Sequence, residues 1–279
     1  MIIDKKEVHL NNTQTKMLIS GWSEDAFENS VVEKITYESD GLKVKGYAAY
    51  PKNLSNEKLP CIIWNRGGYH NKGAIDHFTA KGIYGQIASW GYFVFASQYR
   101  GNHGGEGQDM IGGDDVNDII NLKDAAKEYK NADTNIWGME GWSRGGMMSL
   151  LVLMKNKDFK CVVLSGAITD FYSYGKMNDT MFADYKDFLS DYNLDDELRK
   201  RTIINKVDKL PDIPYLIMHG KKDESVPVEQ SMKFSEELKK RNIYNKLILY
   251  DEGDHYLKGY RREVESEKKA WFGKYLKNF

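Results

Sequence analysis

Short apolar runs alternate along the chain with longer segments in which apolar and polar residues recur at helical spacing. Strand-like runs lie at 31–39, 42–50, 60–65, 92–99, 135–142, 160–166, 214–220 and 246–253. The later ones are too continuously apolar to have a face in water, the pattern of strands covered on both sides. Asp40 and Gly41 separate the first two runs, a two-residue hairpin signal. Helix-like segments lie at 76–91, 114–130 and 226–242, the last with Pro227 near its start, where a missing N–H is harmless. Alternating strand and helix with buried strands predicts an α/β fold, a doubly wound, mostly parallel sheet of eight strands. Residues 1–30 fall outside the alternation and read as a polar, partly helical N-terminal extension to a domain at 31–279. The stretch at about 169–210 separates two strands by much more than the usual connection, which predicts a cap over a site.

Composition narrows the classes. Of 279 residues, 41% are hydrophobic, enough for a sizeable core. Lysine plus arginine (40) and aspartate plus glutamate (41) nearly cancel, so no basic field exists to hold a nucleic acid or an anionic membrane surface. The chain starts without a long apolar segment and has no run near the roughly 20 residues of a membrane span. The expectation is a cytoplasmic protein with no membrane or nucleic-acid partner; a homo-oligomer stays open. Cys61 and Cys161 each sit inside a strand-like run without metal-ligand spacing, and read as free core thiols.

The candidate chemistry lies in "NIWGMEGWSRGGMMSLL". Glycine weakens helices, so Gly141, Gly145 and Gly146 around Ser143 need a backbone reason. A sharp strand-to-helix turn that strains and exposes a serine supplies one. A serine hydroxyl needs a base, an acid to orient that base, and donors for the developing oxyanion. Asp223, after the run at 214–220, is the expected acid, with Asp170 the runner-up. His255, after the last run, is the expected base. The order Ser143, Asp223, His255 is the one found on α/β-hydrolases. The expected oxyanion donors are the N–H of Arg144 and, in the loop "NRGGYH", that of Gly68 with Gly67 beside it.

Several segments carry a resemblance. "SQYRGNHGGEG", "DDVND", "NIWGMEGWSRGGMM", "LIMHGKKDESVPVEQS" and "YDEGDH" together resemble the catalytic domain of prolyl-oligopeptidase-type (S9) α/β-hydrolases, from Val31 to the C terminus. The resemblance implies a serine hydrolase with Ser143, Asp223 and His255 as triad and no cofactor or metal. Two departures stand out. The family's peptidases carry a β-propeller, for which this chain has no room, and the family often has Tyr or His where this chain has Arg66.

Substrate contacts are expected from Arg66 and Tyr69 of the oxyanion loop and from Tyr174, Met177 and Phe182 of the insertion, whose Tyr172, Met181 and Tyr185 are equally well explained by packing. Arg144 is weighed between a substrate carboxylate and a protein one. Arg100 is expected to pair with Asp114 or Asp115, His70 and His103 to be solvated, and His219 to be a satisfied core group. The leading expectation is hydrolysis of small acyl esters through an acyl-enzyme, because an activated ester departs readily once its oxyanion is held. The alternative is an S9-type aminopeptidase or oligopeptidase acting on short peptides.

Overall fold

The computed structural model describes residues 1–177 and 192–277. Nine strands form one sheet: β1 (Ile2–Glu7), β2 (Ser30–Ser39), β3 (Leu42–Pro51), β4 (Leu59–Asn65), β5 (Phe93–Ser97), β6 (Ala132–Trp142), β7 (Phe159–Ser165), β8 (Tyr215–Gly220) and β9 (Asn245–Tyr250). Their order is β1-β2-β3-β5-β4-β6-β7-β8-β9. β1 to β3 pair antiparallel and β3 joins β5 antiparallel; from β5 through β4 to β9 every pair is parallel. The ninth strand, beyond the eight expected, comes from the segment read as an extension: Ile2–Glu7 pairs along the free edge of β2. Its sequence IIDKKE is mostly polar because only one side chain of this edge strand, Ile2, is partly covered. Between β2 and β3, Asp40 (φ 51°) and Gly41 (φ 78°) both adopt positive φ, the twist that a two-residue hairpin needs.

Parallel pairing requires crossovers, and the helices supply them on both faces. α1 (Asn12–Gly21) and α2 (Glu24–Glu28) precede β2, and α3 (His77–Ser89) follows β4. α4 (Asp115–Ala126) precedes β6 and α5 (Arg144–Lys155) follows it. Short α6 (Phe171–Met177) and α7 (Leu194–Arg201) belong to the insertion, α8 (Glu229–Lys240) precedes β9, and α9 (Arg261–Leu276) ends the described chain. α8 buries Gln230, Ser231, Phe234, Ser235 and Leu238, one stripe at helical spacing. α5, by contrast, is buried from Arg144 to Leu153, which explains its all-round apolar sequence after the turn. α4, α5 and α8 pack on one face of the sheet and α3 and α9 on the other.

Cys61 on β4 and Cys161 on β7 are free, buried and separated by β6. They belong to the cores on opposite faces of the sheet. The insertion is fastened at its base: Thr169 N–H and Asp170 N–H donate to Gln230 Oε1 (2.7 and 2.9 Å). Arg201 of α7 donates to the carbonyls of Ile111 (2.8 Å) and Met110 (2.9 Å). Phe182, Met181 and Tyr185 lie outside the described residues, as does the side chain of Met177.

Candidate active site

Parallel strands end at one sheet edge, so the turns after β4, β6, β7, β8 and β9 converge there. At the end of β6, Ser143 adopts φ 59° and ψ −125°, a conformation costly for a residue with a side chain, and α5 starts at the next residue. The flanking glycines are a steric requirement. A Cβ on Gly145 would lie 1.9 Å from the Asn65 carbonyl oxygen, and one on Gly141 would lie 2.3 Å from that of Gly145. The turn therefore closes only with bare backbone at these positions, and it leaves the serine hydroxyl at the sheet edge.

His255 Nε2 lies 3.0 Å from Ser143 Oγ. On its other side, Nδ1 lies 2.7 Å from Asp223 Oδ2, which makes Nδ1 the donor and leaves Nε2 to accept the serine proton. Asp223 Oδ1 accepts the N–H groups of Ser225 and Val226, both at 2.8 Å. Burial works to raise the Asp223 pKa; the hydrogen bonds from His219, His255 and Val226 outweigh it and hold the carboxyl well below the usual range. Asp170, the runner-up acid, instead precedes α6 and accepts the N–H of Ser173 in its first turn (3.0 Å). His219 is fully buried with both ring nitrogens engaged. Nδ1 meets Ser231 Oγ at 2.7 Å and Nε2 meets the Val226 carbonyl at 2.9 Å. The same Nε2 lies 3.1 Å from Asp223 Oδ2, a contact that reading His219 as a core group did not anticipate. Trp142 was also missed: its indole N–H donates to the His255 carbonyl (3.0 Å), tying the histidine loop to the serine turn.

Across the serine lies the loop after β4. Gly68 has φ +69°, and a Cβ there would come within 2.1 Å of the Lys72 carbonyl oxygen. A Cβ on Gly67 would meet the Trp142 ring at 3.0 Å and Ser143 Cβ at 3.1 Å, so this loop packs directly on the serine turn. Among the described residues the N–H groups of Arg144 and Gly68 have no acceptor, leaving both able to hold an oxyanion. A cavity of about 250 Å³ opens at Ser143 and His255 and is lined by Gly68, Tyr69, Ile111, Ile168, Phe171 and Tyr174 among others.

Arg66 and Arg100 correct the expectations, whereas Arg144 takes the protein-carboxylate alternative weighed for it. Arg66 does not face substrate: it is fully buried and donates to the carbonyls of Gln98 (2.8 and 3.1 Å), Gly67 (3.1 Å) and His70 (2.9 Å). Its loop turns that side chain inward, where it braces the backbone. Arg144 takes protein carboxylates, Asp109 (2.5 and 2.9 Å) and Asp115 (2.7 Å). Arg100 pairs with Asp118 and Asp40, both at 2.8 Å, and not with Asp114 or Asp115. His70 and His103 are half-buried in their loops and stand outside the cavity lining. Among the described residues no cluster of three His, Cys, Asp or Glu could hold a metal ion, and no helix is long and apolar enough to cross a membrane.

Comparison with known proteins agrees with this geometry. The family model described as the prolyl oligopeptidase family matches residues 82–279. The chain is 28% identical over 233 residues to a Bacillus subtilis protein named as the uncharacterized peptidase YtmA, covering 80% of this chain and 85% of that one. It is 26% identical over 235 residues to the acylamino-acid-releasing enzyme of Mus musculus, covering 78% of this chain but only 31% of the enzyme. Among solved structures, the Pyrococcus horikoshii acylaminoacyl peptidase superposes with a TM-score of 0.75 at 20% identity, covering 90% of this chain and 43% of that one. The strand order, the serine turn and the family match over most of the chain lead to one assignment: the chain belongs to the prolyl oligopeptidase (S9) family and is a serine hydrolase on the α/β-hydrolase fold.

Proposed function

We propose that the protein is a serine peptidase of short peptides. The observation that carries this is the unbroken chain Asp223–His255–Ser143, with spacings of 2.7 and 3.0 Å, opening on a small cavity beside two N–H groups without an acceptor among the described residues. Ser143 Oγ attacks the substrate carbonyl carbon while its proton passes to His255 Nε2, and Asp223 stabilises the imidazolium that results. The N–H groups of Arg144 and Gly68 hold the oxyanion. As that intermediate collapses, the C–N bond breaks and His255 returns the proton to the departing amine. Water, deprotonated by the same imidazole, then releases the acyl group from the serine.

The reading favours a short substrate. The cavity of about 250 Å³, as bounded by the described residues, falls below the roughly 300–1,000 Å³ of pockets that enclose drug-sized ligands and matches one acyl or aminoacyl group. Family membership and the similarity to YtmA and to the acylamino-acid-releasing enzyme support amide over ester cleavage. They reverse the order of the expectations drawn from sequence, which led with small esters. Measuring kcat/KM on one preparation for alanyl, prolyl and N-acetylalanyl p-nitroanilides and for p-nitrophenyl butyrate tests the choice. Turnover of at least one anilide is expected, inhibited by a fluorophosphonate. Rapid ester turnover with every anilide and short peptide left intact would contradict it.

A further inference from the structure

Arg144, Asp109 and Asp115 form a buried ion cluster directly under the serine turn, their side chains 4%, 1% and 0% exposed. Burying three charges is costly unless each finds several partners, and Asp109 finds five donors. Its Oδ1 accepts from Arg144 Nη2 (2.5 Å) and Ile111 N–H (3.0 Å). Its Oδ2 accepts from Arg144 Nη1 (2.9 Å), Asn102 Nδ2 (3.0 Å) and His70 N–H (3.0 Å). Burial alone would raise its pKa, but the Arg144 charge and these hydrogen bonds hold it below the ordinary carboxylate range.

The contacts join two parts of the chain that must act together. Arg144 Nη1, fixed by Asp109, also donates to the Gly68 carbonyl (3.0 Å). Asp109 thus grips the loop after β4 twice, once through Arg144 at Gly68 and once directly at the N–H of His70. Arg66, whose Nη2 is 4.0 Å from Asp109, secures the Gly67 carbonyl. In a trans peptide the N–H points opposite to the C=O of the same unit. Anchoring the Gly67 carbonyl on Arg66 therefore turns the Gly68 N–H away from that side chain, and Gly68 lines the cavity. The other oxyanion N–H belongs to Arg144 itself. We infer that Asp109 is a positioning residue that locks the two oxyanion donors, on separate loops, into one rigid unit. It touches no reacting atom.

This inference rests on the reading of Ser143 as the nucleophile, and its test separates the two. Asp109→Asn keeps the shape but removes the charge that orients Arg144. Per folded molecule, counted by thermal unfolding, its kcat should fall about 10- to 100-fold, part of the roughly 10²–10³ lost when an oxyanion donor is removed outright, with KM within about threefold. Its rate of inactivation by a fluorophosphonate should fall by a similar factor. Arg144→Lys, which keeps the buried charge but cannot hold both Asp109 and Gly68, should show the same split and serves if Asp109→Asn does not fold. Asp118→Asn, a buried aspartate paired with Arg100, is the control, with kcat per folded molecule unchanged. Wild-type kcat in folded Asp109→Asn or Arg144→Lys, with the phosphonate still on Ser143, overturns the inference alone. A phosphonate on any other residue of the wild type overturns the reading and the inference together.

Discussion

Two buried arginines each hold two aspartates, and only one of them touches the site. Arg100 donates to Asp118 through Nε and Nη2, at 2.8 to 3.1 Å, and to Asp40 at the β2–β3 turn. It fastens a hairpin to α4, and Asp40 remains 41% exposed. Arg144 also reaches α4, at Asp115, but its second carboxylate, Asp109, and the Gly68 carbonyl lie in the loops around Ser143. The residue types and the distances are alike. What separates the two clusters is where the partners beyond α4 lie: Asp40 of a hairpin turn for Arg100, and Asp109 with the Gly68 carbonyl, in the loops beside Ser143, for Arg144.

Substituting each arginine is the strongest way to break this comparison. Arg144→Met leaves Asp109 and Asp115 buried together with only Arg66, 4.0 Å from Asp109, as counter-charge, and should cost about the 3–5 kcal/mol of a broken buried pair, with activity abolished. Arg100→Met should cost less, since Asp40 can turn to water, and should leave kcat per folded molecule unchanged. Urea unfolding combined with kcat on both variants decides the matter. A loss of kcat in Arg100→Met beyond its loss of folded protein would erase the distinction.

Smaller effects sharpen it. Asp40 and Asp109 both have pKa values lowered in the folded state, Asp40 chiefly by the Arg100 hydrogen bond and Asp109 by Arg144 acting against burial. A lowered folded pKa means that the carboxylate contributes stability fully above its unfolded value of about 4 and loses it as the pH falls below that. Asp109→Asn should therefore be destabilised at pH 7, with its difference from wild type shrinking in urea titrations taken toward pH 3. Asp40→Asn should follow the same course within about 1 kcal/mol, because it is partly exposed, and 1 M NaCl should remove most of its effect while sparing that of Asp109→Asn.

The pattern of legibility follows from range along the chain. Ser143, Asp223 and His255 each follow a continuous apolar run, so parallel pairing alone carries them to one sheet edge. The glycines around Ser143 advertise a crowded turn by their own composition. β1 was hidden because an edge strand with polar side chains carries no buried stripe. Arg66 was misread because its place in the loop after β4 is local information, whereas the inward direction of its side chain depends on Gln98, 32 residues away. The partners of Arg100 and Arg144 were likewise set by α4, where Asp115 and Asp118, one turn apart, each reach a different arginine. The contact of His219 with Asp223 had a local signal, four residues along the chain, but it depends on the turn after β8 bringing the two side chains together.

The account stands most directly on Ser143 as nucleophile. Reacting the wild type with a fluorophosphonate and mapping the adduct by tryptic digestion tests it, since residues 131–144 form one tryptic peptide that contains Ser143. The account predicts a single adduct on that peptide, absent from Ser143→Ala and formed far more slowly in His255→Ala. An adduct on a different peptide, or Ser143→Ala labelled at the wild-type rate, would contradict it.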